Sequence, residues 1–258
     1  VSLNVVRLSN ELRSEGFFAQ WLYQESVSST LDLARGMAEK GAPEGTVVIA
    51  GRQTAGRGRL GRFWESPPGG AWFSLLLRSL RDLGQAGCIS VLSAVAIAQA
   101  LRERYELPVL VKWPNDLFLY GKKLGGILVE LSSVGARIDW LILGVGINVN
   151  NPLPQGTRVA PISLAVALSR CVALEDFYRV TLKALARSYL MFLREGFEPI
   201  RQCWKELSLL EDGVWVRKGQ ERFLARVRGL SQLGKLVVER EGRIEELVAE
   251  EVTLGLKE

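Results

Sequence analysis

The chain is 258 residues long, 48% hydrophobic, 24% charged and 8% aromatic; these ordinary globular values exclude a disordered chain and suit one large domain with a small companion. It has no histidine, which rules out an imidazole base, Ser-His-Asp and Cys-His constellations and histidine-ligated zinc, and leaves lysine, arginine, carboxylate, hydroxyl and thiol chemistry. The net charge is +5, but from Glu211 onward nine Lys+Arg face ten Asp+Glu, so the surplus, 24 against 18, belongs to the earlier part.

Val1 to Phe18 carries Arg7, Glu11, Arg13 and Glu15 among its apolar residues, so it contains no uninterrupted export signal. After this irregular lead-in, Ser28 to Glu39 has the apolar spacing of a short helix, entered through the hydroxyls of Ser28, Ser29 and Thr30 and ended by Gly41 and Pro43. Thr46 to Ala50 and Trp72 to Leu77 read as buried strands that pin a glycine- and arginine-rich loop between them. Gly87 to Tyr105 is expected to be the central buried helix. Its apolar stretch, Cys88 to Leu101, is shorter than the roughly 20 residues of a membrane span and is broken by Ser90, Ser93 and Gln99.

Strands are predicted at Val109 to Lys112, Leu117 to Tyr120, Ile127 to Leu131 and Trp140 to Val149, with turns at Gly121-Lys-Lys123 and Ser132-Ser-Val-Gly135. Such short connections favour hairpins, and therefore a mixed, largely antiparallel sheet in an α+β fold. Glu175 to Glu195 is a long amphipathic helix. From about Leu207 the pattern changes to short strands parted by Gly219, Gly229, Gly234 and Gly242, a small barrel-like module. The expected division is 1–207 and 208–258. Cys88, Cys171 and Cys203 are odd in number, widely separated and without C-x-x-C spacing, which reads as free thiols in a reducing, cytoplasmic compartment.

Three segments carry chemistry. In Gly51 to Trp64 the glycines Gly56, Gly58 and Gly61 let the backbone bend close to a ligand, while Arg52, Arg57, Arg59 and Arg62 offer bidentate donors for carboxylate or phosphate with no carboxylate among them. A solvated basic surface loop would account for the charge alone. An arginine-glycine nucleic-acid tract is the other alternative, but such tracts sit in polar, disordered surroundings rather than between core strands.

In Lys112-Trp-Pro-Asn-Asp116, Pro114 turns the chain so that Asn115 and Asp116 face phosphates, ribose or magnesium; a plain turn would use the same residues. Lys123 follows, ahead of Gly125 and Gly126. The third segment, Gly144-Val-Gly-Ile-Asn148, is a strand with room for a ligand and an amide at its end. Anion-gathering arginines, a lysine, amides and one carboxylate, with no histidine, suit activation of a carboxylic acid by ATP, which needs two anions held together and no strong base. Arg52, Arg57, Arg59, Arg62, Lys112, Lys122 and Lys123 are the cations expected to gather them.

Gly56-Arg-Gly-Arg-Leu-Gly-Arg-Phe-Trp64, Lys112-Trp-Pro-Asn-Asp116, Lys123-Leu-Gly-Gly-Ile-Leu-Val-Glu130 and Gly144-Val-Gly-Ile-Asn148 together resemble the ordered motif set of bacterial biotin protein ligases, from about Gln24 to the C-terminus. The resemblance implies a class II aminoacyl-tRNA-synthetase-like catalytic domain with a small C-terminal SH3-like β-barrel. It also implies two reactions: biotin and Mg·ATP give biotinyl-5′-AMP, and the biotinyl group then passes to a lysine of a biotin carboxyl carrier protein of acetyl-CoA carboxylase or a related carboxylase. Ser29, Thr30, Gln53, Gly56, Arg57, Arg59, Lys123 and Gly126 resemble the family's biotin contacts. Lys123 resembles the main catalytic lysine, and Arg59 the residue that retains the acyl-adenylate.

Arg59, Arg62, Trp64, Asn115, Asp116, Lys123 and Asn148 would face the nucleotide, and Asp116 the magnesium. Where the family often has Ser-Thr-Asn, this chain has Ser29-Thr30-Leu31. About twenty residues precede the motifs, too few for the helix-turn-helix domain of the regulatory branch, so a monofunctional enzyme with no DNA partner and no membrane is expected. The resemblance leaves monomer and homodimer open. The alternatives are a lipoate or octanoate ligase or transferase of the same superfamily, and a basic nucleic-acid-binding module.

Overall fold

A computed structural model of the chain describes residues 3–80, 82–210, 213–249 and 252–256. The sheet that carries these motifs has seven strands: β1 (Gln20–Val27), β2 (Thr46–Gln53), β3 (Ala71–Leu77), β4 (Leu110–Lys112), β5 (Asp116–Leu119), β6 (Lys122–Val134) and β7 (Arg137–Ile147). Their order is β1-β2-β3-β7-β6-β5-β4. Only β1 and β2 are parallel, joined across helix α2 (Thr30–Glu39), so the sheet is mixed and largely antiparallel.

Side-chain alternation divides the sheet into two faces. Val47, Ile49, Ile127, Leu143, Val145 and Ile147 meet helix α3 (Ala86–Tyr105), the long α5 (Leu174–Glu195) and α6 (Glu198–Leu207) in the main core. Val48, Leu76, Trp140 and Ile142 face α2 on the other side. Gly126, Gly144 and Gly146 share the α2 face by the same alternation, and that face holds the site.

Helix α3 is buried along nearly its whole length. With the residues just before it, the wider segment from Leu83 to Tyr105 is long and apolar enough to cross a membrane by length and composition, a test that a buried core helix also passes. Its burial between the sheet, α5 and α6 is what such a composition serves here.

The lead-in is not irregular. It forms helix α1 (Val5–Leu12), capped by Asn4, and then edge strand β1, which fell outside the predicted elements. The Ser132–Val134 turn signal is a bulge within β6, and the reversal comes at Gly135 and Ala136. A short helix α4 (Leu164–Leu168) was also not foreseen. The C-terminal strands β8 (Val214–Lys218), β9 (Glu221–Leu230), β10 (Leu236–Arg240) and β11 (Arg243–Leu247) fall where predicted. A fifth, β12 (Val252–Leu256), completes the second sheet in the order β11-β10-β9-β8-β12. Gly229 lies inside β9 beside a register shift rather than at a turn. The two sheets are tied by Trp113 Nε1 donating to Gly234 O (2.9 Å), Arg201 Nε to Leu230 O (2.8 Å) and Leu209 N to Val111 O (2.9 Å).

Candidate active site

The arginine loop is an ordered hairpin. Trp64 N donates to Gly56 O (2.9 Å) and Gly58 N to Arg62 O (2.8 Å), and Leu60 and Gly61 turn the tip at positive φ (58° and 69°). A Cβ on Gly56 would lie 2.4 Å from Trp64 O, so the close pairing of the two arms requires glycine there. Gly56 itself is buried and lies off the cavity wall.

At the base of the loop the polar groups form a relay. Gln53 Oε1 accepts from Thr30 N (2.9 Å) and Thr30 Oγ1 (3.2 Å), Gln53 Nε2 donates to Ser66 Oγ (2.8 Å), and Ser74 Oγ donates to Thr30 Oγ1 (2.9 Å). These bonds fix the rotamers of Thr30 and Gln53 on the cavity wall. Ser29 is fully buried behind them; its hydroxyl accepts from Leu31 N (3.3 Å) as the N-cap of α2, so it does not line the cavity. Leu31 packs over Gly144, where a Cβ would come within 2.9 Å of its side chain.

Arg57 does not stand ready for an anion. Its guanidinium donates to both oxygens of Asp32 (2.7 and 2.8 Å) and to Glu130 Oε1 (3.1 Å), while Arg35 pairs with the same two carboxylates. Burial opposes the Arg57 charge, and the hydrogen bonds it donates to Asp32 and Glu130 more than offset this, so its pKa lies above the ordinary arginine value. Arg59 reaches Asn115 Oδ1 (3.3 Å) and the carbonyl of Ala249, just ahead of β12. Arg62 is exposed on the cavity rim.

Lys123 Nζ sits 2.8 Å from Asp116 Oδ1 and 5.3 Å from the centroid of the Trp64 ring. Its backbone is held on both sides, N to Ala160 O (2.8 Å) and O from Ile162 N (3.0 Å). The Trp64 indole lies against Gly146, where a Cβ would be 2.6 Å from Nε1; that N–H is buried with no acceptor among the described residues. A Cβ on Gly126 would lie 3.3 Å from Asp116 Oδ1 and 3.8 Å from Lys123 Nζ, so glycine there keeps side-chain bulk away from both charged groups. Asn115 is buried and braced through Nδ2 to Ile127 O (2.8 Å), and Asn148 Oδ1 accepts from Asn151 Nδ2 (3.0 Å).

These groups surround one cavity of about 480 Å³, lined by Thr30, Gln53, Arg57, Arg59, Arg62, Trp64, Asn115, Asp116, Lys123, Gly126 and Asn148. Lys112 and Arg158 join the wall; with Arg57 set aside, as it is taken up by Asp32 and Glu130, five cations stand against Asp116 and Glu65 among its described residues. Such a surplus favours a ligand with several negative charges. Arg52 and Lys122 do not contribute; both are exposed off the wall, and Arg52 Nε donates to Ser26 Oγ (3.0 Å). The motifs alone did not reveal Arg158, nor the apolar contribution of Val252 and Leu254 from β12, because tertiary folding brings them in from far along the chain. No group of three or more Cys, Asp or Glu among the described residues is placed to hold a metal by itself.

Residues 23–148 match the Biotin/lipoate A/B protein ligase family. The bifunctional ligase/repressor BirA of Bacillus subtilis is 32% identical over 249 residues, covering 95% of this chain and 77% of the relative. The biotin–[acetyl-CoA-carboxylase] ligase of Paracoccus denitrificans is 30% identical over 215 residues, covering 81% and 90%. Among solved structures, the biotin protein ligase of Aquifex aeolicus in complex with biotin and ATP superimposes with a TM-score of 0.81 at 29% identity, covering 93% of this chain and 100% of that one. With a cation-lined cavity assembled from four ordered motifs and relatives matched over most of their length, the chain belongs to the biotin protein ligase family.

Proposed function

We propose that the protein activates biotin with Mg·ATP to biotinyl-5′-AMP and transfers the biotinyl group to a lysine of a biotin carboxyl carrier protein, as in acetyl-CoA carboxylase. The observation that carries this reading is the placement of Lys123 on β6, between the Thr30–Gln53 relay on one side and the β4–β5 motif on the other. In that position one ammonium serves both partners of the first reaction. Thr30, Gln53 and Gly126 hold the biotin end, and Trp64, Arg62, Asn115, Asp116 and Asn148 the nucleotide.

A carboxylate oxygen of biotin attacks the α-phosphorus, the bond to the α,β-bridging oxygen breaks, and pyrophosphate leaves with the electron pair. No proton moves in this step, so a site without histidine is sufficient. Lys123 lowers the repulsion between carboxylate and phosphate and stabilises charge on the phosphate oxygens. In the second step a neutral lysine amine attacks the acyl carbon, AMP departs, and the new amide nitrogen loses its proton to solvent. Arg59, anchored across the cavity, retains the mixed anhydride between steps.

Asp116, paired with Lys123 at 2.8 Å, would offer a carboxylate oxygen of the kind a hard cation prefers to a magnesium ion brought with ATP, and the ion would offset phosphate charge when bound. We further assign the catalytic part to 1–207 and the SH3-like part to 208–258, in a reducing cytoplasmic setting in keeping with the free Cys88, Cys171 and Cys203.

Exchange of labelled pyrophosphate into ATP tests the reading. It should require biotin, and in Lys123→Ala it should fall by on the order of a hundredfold, as on removal of a transition-state donor. Exchange supported by lipoate or octanoate but not by biotin would overturn it.

A further inference from the structure

Lys112 ends strand β4 directly opposite Asp116 on β5, and directly opposed residues of an antiparallel pair project to the same face. Asp116 in turn binds the Lys123 ammonium at 2.8 Å. Three adjacent strands therefore present a row of cation, carboxylate and cation on the cavity wall. One carboxylate serves two lysines, and its close ion pair is with Lys123. Lys112 makes no salt bridge among the described residues; its ammonium lies 5.8 Å from the centroid of the Phe118 ring, half-buried in the wall. Burial pulls its pKa below the ordinary lysine value; Asp116 works against this, while Lys123 and Arg158 add to it. A partly desolvated cation with no close counter-ion, facing a cavity, is held for an anion that arrives with the substrate.

Strand order says which anion. Across the sheet the cavity runs from Gln53 on β2, past Gly144 and Gly146 on β7 and Lys123 on β6, to Lys112 on the β4 edge. With biotin at the Gln53 end and the α-phosphate at Lys123, the Lys112 end lies beyond the reacting phosphorus, on the side away from the attacking carboxylate. In-line displacement puts the leaving group on that side.

We propose that Lys112 is a second catalytic lysine, which binds the β- and γ-phosphates of ATP and stabilises the pyrophosphate as it leaves. This rests on the adenylate-forming reading of the site. Lys123 and Lys112 then divide the work: Lys123 acts at the bond that forms, and Lys112 takes up the charge released when the α,β-bridge breaks. In the transfer step no pyrophosphate is present, and Lys112 has no part.

The test uses the full chain and treats the two half-reactions separately. In Lys112→Met, biotin-dependent ATP–pyrophosphate exchange should fall about a hundredfold, with the KM for pyrophosphate raised about tenfold or more and the KM for biotin unchanged. Transfer from supplied biotinyl-AMP to the acceptor lysine should proceed at the wild-type rate, and Lys112→Arg should restore most of the exchange. If transfer falls in parallel with exchange, or if the pyrophosphate KM does not move, the proposal is overturned. Should Lys112→Met unfold, Lys112→Gln and Lys112→Arg carry the same comparison of pyrophosphate KM. Absence of biotin-dependent exchange in the wild-type enzyme would instead overturn the adenylate-forming reading itself.

Discussion

At the scale of single residues, one arginine of the loop stands apart because two carboxylates take up its guanidinium. Arg57 stands in the motif like its neighbours, yet Asp32 and Glu130 occupy its guanidinium, tying the first turn of the loop to α2 and β6. Arg57→Met removes that tether and leaves the glycines of the loop intact. The expected result is a biotin KM raised on the order of tenfold, with escape of biotinyl-AMP seen as labelling of bystander proteins, because a loop without its anchor positions the cavity wall less firmly. Arg57→Lys cannot span both carboxylates and should recover little. Equal KM values in wild type and Arg57→Met would rule out the tethering role.

Among the elements, the turn into β2 rests on Glu44. Its carboxylate accepts from Arg78 N (2.8 Å), Ser79 N (2.9 Å), the Ser79 hydroxyl and Tyr189 OH (2.8 Å), joining β3 to α5. Burial alone would raise its pKa; the bonds from Ser79, the Arg78 backbone and Tyr189 outweigh it, and the folded value lies below 4.5. A depressed carboxylate pKa gives stability that is fully present above the unfolded value and is lost as pH falls through the folded one. Glu44→Gln should therefore cost about 1 kcal/mol near neutrality, with the difference in Tm from wild type shrinking below pH 4.5; a constant difference down to acid pH would argue against this account. Elements with a strong period were legible in sequence: α2 from its hydroxyl cap, β2 and β3 from apolar runs, and α3 from its unbroken core composition. Edge strand β1 escaped because Gln20-Trp-Leu-Tyr-Gln-Glu-Ser-Val27 is half exposed along its length and so lacks a clean alternation. The site divides in the same way. Motif residues were readable in order along the chain, whereas the Asp32, Glu130 and Ala249 partners depend on contacts that only the assembled sheets create.

For the whole molecule, the junction of the two sheets is tight at Gly234. It has a φ of +74°, and a Cβ there would lie 3.2 Å from the backbone of Cys88 and Gly87 at the start of α3. Its carbonyl also receives the Trp113 indole. Gly234→Ala should destabilise the fold by about 1–3 kcal/mol and loosen both sheets in one transition, measurable as a lower urea midpoint with unchanged slope; two separate transitions would show that the sheets do not depend on each other. The grip of Arg59 on Ala249 O spans 190 positions of sequence, and Val252 and Leu254 close the wall beside it. During synthesis, a chain extended only as far as Leu247 already carries every arginine and lysine of the cavity among the described residues but neither the latch nor the last of the wall. The ribosome thus makes Arg158, the last of these cations, long before the residues that enclose them, and competence to hold a reactive anhydride waits for Ala249, Val252 and Leu254.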